Sequence, residues 1–141
     1  MNQNTIFQPF FATMILTLVV WIYMYVRRLS FIFASGLDAK RMTPGELARV
    51  SPPSVSSPSD NLKNLCELPT IFYAIVLYLF VTQKVDSTFV VLAWVFFSFR
   101  VLHSLVHCTF NFIPLRFVLY VASSVALWSM VVRALPLSGH G

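Results

Sequence analysis

Charge is scarce in this chain. Only 11% of its 141 residues are Asp, Glu, Lys or Arg, where a soluble domain carries roughly a quarter. With 57% apolar residues and a mean hydropathy of +0.76, an ordinary soluble domain is excluded. Glycine is scarce too, four in all, so no glycine-rich loop is available to cradle a phosphate. The two cysteines, Cys66 and Cys108, lie far apart without CxxC spacing and read as reduced packing residues. Five acidic residues face ten Lys and Arg, a net charge of +5. Those basic residues sit beside apolar runs and form no separate arm. No nucleic-acid partner is therefore expected; the placement suits orientation in a bilayer and contact with anionic headgroups.

What the chain does have is four apolar runs, at about 9–26, 60–81, 87–110 and 114–135, each near the roughly 20 residues that cross a hydrocarbon core as a helix. They are too long and too uniformly apolar for barrel strands. The expectation is an all-α, integral membrane four-helix bundle, one domain over residues 1–141, in the inner or plasma membrane if the source is bacterial. Pro9 and Pro114 suit first helical turns, and Asp60 and Ser87 suit caps. MNQNTIFQPF has no positive residue, and the run after it ends in Arg27-Arg28 without a small-residue cleavage site, so it reads as a retained helix. The connection 29–59 contains SPPSVSSPSD and is expected to be irregular there. TPGEL would start a short interfacial helix within 38–50. TQKVDS is short, so the second and third spans should be antiparallel neighbours. Arg27, Arg28, Lys40, Arg41, Arg49 and Lys63 cluster on the first connection, which places it in the cytoplasm and both termini outside.

The stretch FRVLHSLVHCTFN, residues 99–111, follows an apolar run yet carries Arg100, His103, His107 and Asn111. Helix rise puts Arg100 roughly 20 Å below Ser87, and Glu67 about 10 Å in from the opposite side, at similar depth. A buried Glu67–Arg100 ion pair is expected, with Asn64 and His103 matched one turn nearer the surface. Asn64 and Glu67 are spaced i, i+3, and Arg100, His103 and His107 are spaced i, i+3, i+7, so each set shares a helix face. One ion pair alone is as often structural as functional. Once Glu67 and Arg100 neutralise each other, though, Asn64, His103 and His107 have no structural need, and a polar cavity open to the cytoplasm is the better account. Arg116 and Tyr120, spaced i, i+4, add a second arginine and a hydroxyl. Arg27 and Arg28 add more, although snorkelling to headgroups is the simpler reading for Arg27. Trp21, Tyr23, Tyr25, Trp94 and Trp128 read as interface anchors or bundle packing. His103 and His107 lack the glutamate of HExxH, and no metal is assigned. The chemistry on offer is anion binding by arginines among apolar walls, which suits an amphipathic anion or a small peptide carboxylate whose partner dissolves in lipid.

At NLCE (Asn64–Glu67), RVLHSLVH (Arg100–His107) and PLRFVLY (Pro114–Tyr120) the sequence resembles the MAPEG family, the membrane-associated proteins of eicosanoid and glutathione metabolism. It looks most like the branch of microsomal prostaglandin E synthases and glutathione transferases. The resemblance implies a homotrimer of four-helix protomers with glutathione as cosubstrate at subunit interfaces near the cytoplasmic side. It implies glutathione-binding roles for Arg28, Asn64, Glu67, Arg100, His103, His107 and Tyr120, and a catalytic role for Arg116. Two departures stand out: His107 replaces a tyrosine of that branch, and Phe117 replaces a serine beside the glutathione thiol. The function implied is a glutathione-dependent transferase or peroxidase acting on a lipophilic small molecule. The alternative is a non-catalytic protein of the same fold that binds a lipid or a partner protein.

Overall fold

The computed structural model describes residues 2–135; Met1 and 136–141, which the single-domain expectation includes, lie outside them. Five α-helices follow one another: α1 (Phe7–Ser35), α2 (Pro44–Val50), α3 (Pro53–Val81), α4 (Ser87–Cys108) and α5 (Ile113–Ala134). Among the described residues four of these, all but α2, are long and apolar enough to cross a membrane. The chain is an all-helical, multi-pass integral membrane protein.

The spans begin and end differently from the sequence expectation on the side of the long connection. Arg27 and Arg28 do not stop α1, because LSFIFAS beyond them contains no helix breaker. The helix continues to Ser35 and ends where Gly36 adopts φ +64°, a left-handed conformation open to glycine without steric penalty. Its 29 residues reach about 43 Å, more than a hydrocarbon core of roughly 30 Å.

The Ser/Pro stretch is a correction as well. It is helical from Pro53, which occupies the first turn of α3, where a missing N–H costs nothing. Pro58 lies inside the helix and cannot donate to the Ser54 carbonyl. Arg27 Nε donates to that carbonyl instead, at 3.2 Å. Asp60 is therefore mid-helix, bonded to Lys63 at 3.1 Å, and caps nothing. Asp86, not Ser87, caps α4, accepting from the Phe89 amide at 2.9 Å. The TPGEL helix forms, closed by a capping box between Thr43 and Glu46.

α4 packs most extensively on α5, and α1 on α3; the α3–α4 contact is smaller. The short turn between α3 and α4 fixes their proximity only at one end. That end, where the N-terminus also lies, holds the apolar core: Ile6, Phe72, Val76, Leu79, Phe89, Ala93, Phe96, Leu127 and Met130 are buried together. Phe72 and Phe96 stack with centroids 4.5 Å apart. Gln3 ties the N-terminal turn to the α3–α4 connection, donating to the Val85 carbonyl at 3.1 Å and accepting from its amide at 3.0 Å. The opposite half of the bundle, toward the long connection, is where the polar residues collect.

Candidate anion site at the loop end

The inward stripe of α4 begins apolar, with Phe89, Ala93 and Phe96, and continues through Arg100, His103 and His107. Helical periodicity thus aims the polar residues into the bundle along the line that builds the core. Arg100 is fully buried, and His103 and His107 nearly so. The Arg100 guanidinium lies 5.6 Å from the Tyr120 ring centroid. His103 packs edge-on to His107 at 5.5 Å and lies 5.9 Å from Tyr120.

The expected buried ion pair is absent. Arg100 Nη2 donates to the main-chain carbonyl of Asn64 at 2.8 Å. Glu67 is exposed on the protomer. Among the described residues the ion pairs are Asp38–Arg41, Asp60–Lys63 and Asp86–Arg133, all with exposed side chains. The depth matching was sound to within one turn: Arg100 does meet α3, at residue 64. Rotation about α3 decides the difference. The buried stripe of that helix runs Asn61, Leu65, Leu68, Phe72, which leaves Glu67 off its inward face.

The consequence is a buried cation with spare donors. Arg100 Nε and Nη1, His103 Nδ1 and His107 Nδ1 are buried without a hydrogen-bond partner among the described residues. Such groups are rare, because each forgoes its water at a cost of about 1–3 kcal/mol, more where charged. Beside them Asn64, His103, Ile113, Arg116, Phe117 and Tyr120 line a cavity of about 180 Å³. Phe117 and Tyr120 also line an apolar groove of about 670 Å³ that follows α5 past Val121, Val125 and Trp128 to Arg133.

Six of the eight residues singled out from the sequence, Asn64, Arg100, His103, His107, Arg116 and Tyr120, therefore gather at the loop end of α3, α4 and α5, while Glu67 is exposed on the same part of α3. Arg28 stands apart on α1. Its Nη2 donates to Ser59 Oγ at 3.1 Å, in a separate small cavity against α2 and α3.

Sequence reasoning missed the support beneath the site. Asn61 is fully buried; it accepts from Ser104 Oγ at 3.4 Å and donates to Cys108 Sγ at 3.5 Å. Buried Ser57 accepts from Asn111 Nδ2 at 3.2 Å. The available signal was the stripe Asn61–Leu65–Leu68–Phe72, whose apolar positions predict the burial of the asparagine that begins it. Cys108 is half-buried and takes part in this packing, whereas Cys66 is exposed on the protomer.

A bundle of four spans with buried arginine and histidine at one end is an integral membrane protein that carries a cluster of buried polar residues. The MAPEG family profile matches residues 6–136, nearly the whole chain, and the protein belongs to the MAPEG family. That family includes glutathione transferases and non-catalytic members, and its members commonly use glutathione. No curated protein and no solved structure gave a significant match.

Proposed function

We propose that the protein is a glutathione-dependent transferase or peroxidase of the prostaglandin E synthase and glutathione transferase branch, acting on lipophilic electrophiles. The observation that carries this reading is the set of four unpartnered buried nitrogens on Arg100, His103 and His107 beside a cavity that Arg116 also lines. Glutathione fits that donor set. Its two carboxylates suit guanidinium groups, and its ammonium suits Glu67. Arg100, His103, His107, Asn64, Glu67 and Tyr120 would bind the peptide. When bound, glutathione supplies a nucleophilic sulfur. Arg116 stabilises a thiolate held beside it, drawing the pKa of that thiol below the usual value of about 8.5. The open apolar face along α5 would accept the apolar part of the second substrate.

Assembly belongs to the same proposal. Glu67 is exposed on a membrane span, a costly position in lipid unless another surface covers it. A homotrimer would cover it and would bring Arg28 from one protomer toward the site of the next. The first connection and the site then lie on the cytoplasmic side, with both termini opposite.

Phe117 favours a second reading. It is 67% exposed and lines the cavity without offering a donor, and desolvation by its ring raises a thiol's pKa. A non-catalytic lipid- or partner-binding protein needs no hydroxyl there. Calorimetry of the purified, detergent-solubilised protein with glutathione decides binding, and ultraviolet thiolate absorbance near neutral pH decides activation. The enzyme reading expects both, with the thiolate signal lost in Arg116→Leu and raised in Phe117→Ser. Binding without thiolate in either the native protein or Phe117→Ser overturns it in favour of lipid binding.

A further inference from the structure

Asn111, in the connection between α4 and α5, joins three helices and bonds Arg116, which lines the cavity. Its amide donates to the Val106 carbonyl at 2.8 Å and closes the end of α4. Its Nδ2 donates to buried Ser57 Oγ on α3. Its Oδ1 accepts from Arg116 Nη1 on α5. The backbone at Asn111 is left-handed, φ +48°, a region that asparagine enters more readily than most side chains. That conformation turns the chain between α4 and α5 while its side chain spans from α3 to α5.

We infer that Asn111 is a positioning residue, which holds the Arg116 guanidinium toward the cavity while leaving its charge uncompensated. The choice of amide over carboxylate is what matters. A neutral acceptor fixes the guanidinium without neutralising it, and Arg116 takes part in no ion pair among the described residues. A carboxylate at the same place would fix it equally well and cancel the positive charge that an anionic ligand needs. Ser57 completes the device: by accepting from Nδ2, it sets which face of the amide meets Arg116.

This rests on the proposed thiol-activating role of Arg116 only for its consequence, not for the geometry. Two readouts keep them separate. The first needs no ligand: labelling of Arg116 by phenylglyoxal in the detergent-solubilised full-length protein, followed by mass spectrometry. Asn111→Gly keeps the left-handed backbone and removes the side chain; Asn111→Asp keeps the acceptor. Labelling should run about tenfold faster in Asn111→Gly and Asn111→Ala, the factor for one lost charge-assisted hydrogen bond, and should stay at the native rate in Asn111→Asp. The second readout is glutathione thiolate absorbance. It should fall in the glycine and alanine variants, and fall further in Asn111→Asp despite the restored hydrogen bond. A purely structural role predicts that aspartate rescues both readouts. Equal labelling rates in the native, glycine and alanine proteins overturn the inference, as does full rescue of the thiolate signal by aspartate. If the native protein binds no glutathione, the transferase reading falls, and the labelling order alone decides the role of Asn111.

Discussion

The two halves of the bundle solve opposite problems with the same helices. Near the termini, α3, α4 and α5 bury apolar side chains with aromatic stacking, and the ion pair seen there among the described residues, Asp86–Arg133, stays at the exposed rim. Toward the long connection the same inward stripe of α4 buries a full positive charge and leaves four nitrogens without partners. Stability can explain the first half. It cannot explain the second, because an apolar side chain of similar volume would avoid the desolvation cost. The difference separates a part of the molecule that holds the fold from a part whose burial costs stability, which is the part the proposed ligand would use.

The sharpest break of that comparison should come in the apolar half. Phe72 is fully buried and stacks on Phe96. Phe72→Ala should destabilise the protein by about 3 kcal/mol, the low end for such truncations in soluble cores, since lipid tails solvate the unfolded helices as well as a core does and only packing is lost. Chemical denaturation in mixed micelles measures this. Ligand affinity of the folded fraction should change little, because Phe72 does not line the cavity.

Arg100→Met should behave in the reverse way. It removes the buried charge while keeping most of the volume, so thermal stability without ligand should hold or rise. Glutathione affinity should drop by roughly a hundredfold, the scale for losing hydrogen bonds to a charged group. Thermal scans and calorimetry on the same preparation check both. A large loss of stability with affinity intact would reassign Arg100 to the fold and erase the distinction between the halves.

How much of this could be read from the sequence follows the same division. The four spans were legible because hydropathy reports a solvent, and the bilayer is a uniform one along each run. Their ends on the loop side were not. Arg27-Arg28 imitated the end of a span although Gly36 is the physical stop, and the prolines of SPPSVSSPSD imitated a loop although Pro53 starts a helix and Arg27 occupies the carbonyl that Pro58 frees. In the site, spacing put Arg100, His103 and His107 on one face and depth put them opposite α3. Spacing alone could not give the rotation of α3, and so it paired Arg100 with Glu67 where the structure bonds it to the Asn64 carbonyl. The apolar stripe of α3 could have flagged the burial of Asn61, and Asn111 stood out as a polar residue after an apolar run, but spacing gave neither its partner nor Ser57: Asn61–Ser104 and Ser57–Asn111 are 43 and 54 residues apart in the chain.

The smallest expected effect sharpens the comparison from the termini side. Asp86 caps α4 through the Phe89 amide and bonds Arg133 Nη2 at 2.8 Å. The Arg133 guanidinium, then the Phe89 amide, hold its carboxyl below the usual aspartate value. A carboxylate whose folded-state pKa is depressed adds stability that is fully present above its unfolded pKa, about 3.9, and that is lost as pH falls through the folded value. Glu46 is lowered likewise by its capping box with Thr43, so acid destabilisation of the native protein mixes both groups. Asp86→Asn isolates one. Asparagine caps a helix about as well as aspartate, which leaves the ion pair as the difference, and Glu46 cancels between the two proteins. The melting temperature of the native protein should exceed that of Asp86→Asn by a small, constant margin from pH 8 to about pH 5. The gap should close below about pH 4, and salt should shrink it throughout, since both side chains are exposed and screening weakens such pairs. A margin that persists at low pH would mean that Asp86 acts through its shape and not its charge. The ion pair at the rim of the apolar half would then be dispensable, while the buried charge of the other half is the feature that the proposed ligand would meet.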